Sequence, residues 1–255
     1  MSALLRFASF SRLEGVRHGF AGADAFGAFD GRREEDLRRL AEAVAPSARL
    51  VRTRQTHSAR VRWVEAGAPA PSERELAEGI DGLATAERSL ALTALGADCP
   101  MLFLADRARR AVAVVHCGWR GVAGGIVDAA LALLEERAGC APSALLAAVA
   151  PGARGCCYEV GTEVVEALER AAIPVAAIAR PYLRADGALS RAVDLSTGIA
   201  ARLVALGVDP RAIELAEACT ICGGARFHSH RRSGAAAGRM AGAIALESAA
   251  PRARV

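Results

Sequence analysis

Three apolar runs between residues 90 and 116, LALTAL, PMLFLA and AVAVVH, constrain this chain more than any other stretch. Only GADC and DRARR divide them, and all three are rich in strand formers. The turn signal at Asp106–Arg109 predicts an antiparallel hairpin of PMLFLA and AVAVVH. Its midpoint falls between Arg107 and Ala108, and Cys99 and His116 lie equally far from that midpoint. Such a hairpin brings a thiol and an imidazole to the same end of neighbouring strands.

Around this centre the chain alternates between helix and strand patterns, with no internal repeat or low-complexity linker. Residues 33–45 read as an amphipathic helix with Leu37, Leu40 and Ala41 inward, ended by Pro46 and Ser47. Arg49 to Val64 alternates as one strand would, with Val51, Thr53, Gln55 and His57 on one face. APAPSERELAEG reads as a surface connection containing a short helix. GWRGVAGG is a glycine-rich loop able to offer N–H groups to an anion, and it leads into the helix IVDAALALLEERA, closed by Gly139. ALLAAVA reads as a strand, Val160 to Ala171 as a helix, and 194–206 as a helix capped by Asp194 and stopped at Gly207. AIELAEACT is a further strand, and residues 249–255 read as a frayed tail. The length of 255 residues suits a single domain with a sizeable core.

Composition narrows the function. The basic residues are all arginine, scattered among Asp and Glu, and the formal charge is only +4, so a nucleic-acid surface is not expected. Without lysine, Schiff-base chemistry within the chain is excluded. No apolar run is long enough for a membrane span, and the opening MSALLRFASFSRLEG lacks the features of a secretory signal. A soluble, cytoplasmic protein is the expectation, and the odd count of seven cysteines points to reduced thiols.

His57 in RQTHS, Cys99 in GADCP and His116 in VHCGWRG can together hold one zinc ion and leave a fourth position open, the arrangement catalytic zinc sites use. Singly, each has a plainer explanation: a packed histidine or a small buried thiol. Their polar neighbours Arg54, Gln55, Asp98 and Arg120 are residues a packed core does not select. From spacing alone both explanations stay open.

The patterns RQTHSARV, DGLAT, ALGADCPMLFLAD, VHCGWRG with GGI, YEVG and CT…FHSHRR…GRMAG resemble the YfiH-type family. That family also carries the labels laccase-domain, polyphenol-oxidase-like and peptidoglycan editing factor. The matches run in order over residues 50 to 245. The resemblance implies an α+β fold: one domain built as an α/β/β/α layered sandwich with mixed β-sheets. It also implies one catalytic zinc on His57, Cys99 and His116. The implied activity is phosphorolysis of adenosine, inosine and S-methyl-5'-thioadenosine to free base and ribose 1-phosphate, with deamination of adenosine beside it. Three departures bear on substrate preference: Ser58 where glycine is common, Cys117 for alanine, and His228 and His230 at positions often aromatic.

For that chemistry the sequence offers Asp98 as a proton shuttle and Gln55 to orient a base or a water. Arg120, Arg231 and Arg232 are offered as phosphate ligands. Three alternatives remain. A copper polyphenol oxidase would draw on His116–Cys117, with copper elsewhere only adventitious, but five histidines are too few for a trinuclear cluster as well. A cysteine hydrolase or peptidoglycan-precursor editing factor would use Cys99 as nucleophile and His116 as base. A non-enzymatic zinc module would use Cys219, Cys222, His228 and His230.

Overall fold

The computed structural model describes residues 4–67 and 78–247. The expected short helix in APAPSERELAEG and the expected tail fall mostly or wholly outside the described residues. Thirteen strands are described, in three sheets. The central six-stranded sheet has the order β12-β8-β6-β7-β4-β3. Its strands are β3 (Val61–Trp63), β4 (Gly82–Thr85), β6 (Met101–Asp106), β7 (Val112–His116), β8 (Leu145–Val149) and β12 (Ile213–Leu215). A four-stranded sheet has the order β1-β13-β5-β2, from β1 (Val16–Ala21), β2 (Arg49–Val51), β5 (Leu90–Gly96) and β13 (Met240–Leu246). The third sheet is small and antiparallel: β9 (Glu159–Val160), β10 (Ala179–Leu183) and β11 (Leu189–Val193).

The core is layered by the two-residue period of the strands. Leu102, Leu104, Ala113, Val115, Ala147 and Val149 face one way, onto helices α2 (Ile126–Ala138), α3 (Thr162–Arg170) and α4 (Leu195–Ala205). Met101, Phe103, Val112 and Val114 face the other way and meet Leu90, Leu92 and Ile244 of the four-stranded sheet. The far side of that sheet, through Ala241 and Ala243, packs on Leu37, Leu40 and Val44 of helix α1 (Glu34–Val44). Helices, sheet, sheet, helix: this is the α/β/β/α sandwich. Gly242 makes room for Phe103, whose Cζ would lie 2.5 Å from any Cβ there.

Five local expectations are corrected. The hairpin forms, but Met101 pairs with His116, so its register is displaced by two residues and Cys99 lies beyond β6 in a bend. The cause is Asp106, which stays in β6 and accepts hydrogen bonds from the Arg110 backbone and guanidinium. An even displacement leaves each side chain on its face. The single strand over 49–64 is two, β2 and β3, in different sheets, because the chain turns at His57, whose φ is 64°. The glycine-rich loop is partly helical over Trp119–Ala123, since only Gly125 takes positive φ. AIELAEACT is extended as a ladder only over Ile213–Leu215. In α1 the inward apolar residues are Leu37, Leu40 and Val44, with Ala41 only half-buried. Asp194 caps α4 by accepting the Thr197 N–H, and Gly207 follows with φ 96°, as the sequence indicates. Among the described residues no helix is long and apolar enough to cross a membrane.

Candidate metal centre and adjoining cavity

His57, Cys99 and His116 arrive from three directions. His116 ends β7, Cys99 follows the bend at Asp98, and His57 sits on the loop between β2 and β3. One ligand atom from each lies within 4.8 Å of the others, and His57 Nε2 is 3.8 Å from Cys99 Sγ. Exposure is graded: His57 is open to solvent, Cys99 half-buried and His116 buried. The two imidazoles meet edge to face, with centroids 5.0 Å apart. Gly118 allows this closeness: a Cβ there would stand 2.4 Å from His57 Cδ2 and 3.3 Å from Cys99 Sγ.

Asp81 holds the centre together, and the sequence reading did not single it out. Its buried carboxylate accepts the backbone N–H groups of Thr56, His57 and Ser58 at 2.8–3.0 Å and the Ser58 hydroxyl at 2.7 Å. It also pairs with His116 Nδ1 at 2.8 Å, while its backbone carbonyl accepts the His116 N–H. The left-handed backbone of His57, unfavourable for a residue with a side chain, is thus held by three hydrogen bonds to one carboxylate. The pairing at Nδ1 leaves His116 Nε2 for the centre. A signal for Asp81 was present: a lone carboxylate between Ile80 and the apolar strand GLAT has to be buried with partners.

The electrostatics favour a cation. Burial pushes the Cys99 thiol up, but the charge of His116 and hydrogen bonds from His116 and His57 bring its pKa down to about 6. Burial depresses His116, yet Cys99 and Asp81 raise it to about 9. Burial likewise opposes ionisation of Asp81, while His116 and the surrounding donors hold its pKa at about 2. Protons on this cluster therefore satisfy negative charge that a metal can satisfy instead. Two imidazoles and a thiolate suit zinc or copper.

Beside the centre a cavity of about 450 Å³ is lined by Trp119, Arg120, Tyr158, Arg184 and Arg231, among others. Such a volume lies within the range of small-molecule sites. Arg120 stacks on Trp119, its Cζ 4.3 Å from the ring centroid, and Arg231 lies 5.6 Å from the Tyr158 ring. Burial and the Cys99 charge push the Tyr158 hydroxyl well above its ordinary pKa, so it keeps its proton. A larger hollow of about 1080 Å³ is lined by Arg6, Glu14, Arg17, Glu42 and Arg88, among others; neither lining includes the three clustered residues, but Asp98, next to Cys99, accepts the N–H of Arg231 in the smaller one.

The other expected site residues are placed differently. Gln55 is taken up by the backbone of Leu95, donating to its carbonyl at 2.7 Å and accepting its N–H at 2.8 Å. The Asp98 carboxylate accepts from Thr220 Oγ1, Ser229 Oγ and the Arg231 N–H, an anchor for the loop that carries Arg231. The Arg232 guanidinium donates to the carbonyls of Thr220, Ile221, Gly224 and Phe227 and does not line the cavity. Of the three arginines, the cavity brings together Arg120 and Arg231.

Residues 10–247 match the family described as multi-copper polyphenol oxidoreductase laccase. The chain belongs to this family. Purine nucleoside phosphorylase YlmD of Geobacillus stearothermophilus is 35% identical over 207 residues, covering 80% of this chain and 74% of that protein. Adenosine deaminase RL5, from an unknown prokaryotic organism, is 37% identical over 195 residues, 74% of this chain and 72% of that protein. The crystal structure of YlmD from G. stearothermophilus superposes with a TM-score of 0.79 at 29% identity, covering 96% of this chain and 99% of that one. That of the Bacillus licheniformis hypothetical protein YfiH gives 0.78 at 25% identity, with 92% and 94% covered. The chain thus shares its YfiH-type, laccase-like family with proteins named purine nucleoside phosphorylase and adenosine deaminase, and it carries a His/Cys cluster that could hold a metal ion.

Proposed function

We propose that the protein is a zinc-dependent purine nucleoside phosphorylase that also deaminates adenosine. The carrying observation is the convergence of His57, Cys99 and His116 beside a cavity lined by Arg120 and Arg231. Among the described residues the cluster has three donors and no fourth protein ligand, which fits a catalytic rather than a structural zinc site. Zinc there supplies Lewis-acid polarisation of an oxygen on substrate or water.

The chain's own residues do the rest. Asp81 fixes the ring of His116 and the loop bearing His57, so the donors are preorganised. Arg120 and Arg231 carry planar forks suited to a phosphate oxyanion, and Asp98 sets the second of them by holding the Arg231 backbone. In phosphorolysis a phosphate oxygen bonds to C1′ as the C1′–N9 bond breaks, and the purine leaves with that electron pair and takes up a proton. Tyr158, kept protonated, is a hydrogen-bond donor on the cavity wall. In deamination, water adds at C6 and ammonia leaves. Adenosine, inosine and S-methyl-5'-thioadenosine are the proposed nucleosides, and the proposed site of action is the cytoplasm.

The test is zinc content of the purified chain paired with product analysis of adenosine, with and without phosphate. We expect adenine only when phosphate is present and inosine in either case. Zinc-loaded protein that forms neither would overturn the reading. One observation favours a second reading: Cys99 and His116 lie together, each shifting the other towards its charged form, the arrangement a cysteine hydrolase uses. His57→Ala separates the two, since a dyad tolerates its loss and the metal centre does not. For the copper-oxidase alternative, no further histidine joins the cluster among the described residues: His18 accepts the Phe7 N–H, His228 is paired with the Phe29 carbonyl, and His230 lies outside it.

A further inference from the structure

A second cluster of metal-ligating side chains lies apart from the first. The Sγ atoms of Cys156, Cys157, Cys219 and Cys222 all lie within 4.8 Å of one another. Cys222 Sγ is 3.3 Å from that of Cys157 and 3.5 Å from that of Cys156. Four thiolates around a zinc ion at 2.3 Å stand about 3.8 Å apart along the edges of their tetrahedron. The cluster is thus close to the size the metal requires.

Local backbone geometry makes the convergence possible. Neighbouring residues in a strand point to opposite faces, so vicinal cysteines in extended chain cannot share a ligand. Here the chain turns: the N–H groups of Cys157 and Tyr158 both bond the Arg154 carbonyl, and both thiols reach Cys222. Cys219 is fixed across from them by its bridge to Gly152, with the Thr220 N–H on the Gly152 carbonyl. The Gly223 N–H returns to the Cys219 carbonyl, closing the turn that presents Cys222. His228 and His230, which C-x2-C spacing suggested as partners of Cys219 and Cys222, are not in the cluster. The remaining ligands come instead from the Cys156–Cys157 pair.

We propose that these four cysteines form a second, structural zinc site. Four protein sulfurs leave no open position, so its role is cross-linking rather than turnover. It ties the segment leading into Tyr158 to the one leading into Arg231. Both residues line the cavity beside the catalytic centre.

The experiment is zinc stoichiometry on the full chain, purified under reducing conditions. Wild type should hold two zinc ions per chain, and Cys99→Ala/His116→Ala should keep one. Cobalt added to that double variant after zinc removal should give the intense visible absorption of a tetrahedral tetrathiolate. Cys156→Ser/Cys222→Ser, checked for folding by circular dichroism, should hold one zinc and lose that absorption when combined with the first pair. A double variant at Cys99 and His116 that binds neither zinc nor cobalt through thiolate overturns the proposal. So does a Cys157–Cys222 disulfide found in freshly purified, zinc-replete protein.

Discussion

His116 Nδ1 lies 2.8 Å from Asp81 Oδ1, and the same carboxylate accepts the N–H groups of the loop that carries His57. One buried acid therefore aims two imidazoles, one ending β7 and one on the loop between β2 and β3. Asp81→Asn keeps the shape but replaces one acceptor oxygen with a donor, so it opposes part of this network. Zinc affinity should fall by about 10- to 100-fold, as for other partners of metal-bound histidine. The check is competition against a chromophoric chelator. Wild-type affinity in the Asn variant would show that Asp81 does not set the ligand geometry.

Cys99 should react at lower pH than Cys117 and Cys140 in chelator-treated protein. With its pKa at about 6 it is largely thiolate at neutral pH, whereas burial raises Cys140 to about 11 and Cys117 higher still. Iodoacetamide labelling followed by peptide mass spectrometry should show Cys99 reacting with a midpoint near pH 6. Zinc should protect it. A midpoint near that of an ordinary thiol would refute the electrostatic account.

Much of the fold was legible because it rests on local patterns, whereas spacing left the first cluster open and only the family resemblance grouped His57, Cys99 and His116. The apolar runs at 90–116, the amphipathic spacing of Leu37 and Leu40, and the Asp194 cap each act within a few residues. What depended on distant partners was not legible. Nothing near Gln55 announces that its amide will complete the backbone of Leu95, or that Arg232 will be consumed by four carbonyls. Cys156 and Cys157 gain meaning only when a turn sets them against Cys222.

Gly118 was equally silent, being read only as part of a glycine-rich loop, yet its φ of −67° is ordinary and its need is spatial. Gly118→Ala places a methyl 2.4 Å from His57 Cδ2, too close for contact. The His57 ring must move away from Cys99. We expect bound zinc and turnover to fall by at least tenfold while Tm changes little, since the loop of His57 borders solvent. Zinc content and turnover equal to wild type would show that the ring has room to shift.

Arg232 and Arg120 should separate stability from substrate binding. Arg232→Ala leaves four carbonyls of the 220–227 loop without their donor, at a cost of about 2 kcal/mol or more. Its denaturant midpoint should drop. Arg120 is exposed, lies over Trp119 and faces the cavity. Arg120→Ala should leave the midpoint nearly unchanged and raise KM for phosphate. Should Arg232→Ala raise KM for phosphate at unchanged stability, the phosphate ligand has been assigned to the wrong arginine.

His18 should make the fold acid-sensitive well above the carboxylate range. It is 2% exposed, its ring stacks on Phe7 at 5.7 Å and its Nε2 accepts the Phe7 N–H at 2.7 Å, which only the neutral form can do. Burial, with Arg6 adding to it and Glu214 opposing, lowers its pKa to about 4. The unfolded chain takes up this proton near pH 6.5, so acid favours unfolding. The contribution is complete above pH 6.5 and is lost as pH falls towards 4, amounting to about 3 kcal/mol at most. Asp30 and Asp81, held at about 2, lose their contribution as pH falls through the ordinary carboxylate range, while Cys99 at about 6 and Glu214, lowered from 4.5, also act between pH 6.5 and 4, so the share of His18 is the difference its removal makes. Urea midpoints should therefore decline across that interval in wild type and decline less steeply in His18→Gln, whose amide oxygen can still accept the Phe7 N–H. Parallel declines in both proteins would place the acid sensitivity elsewhere.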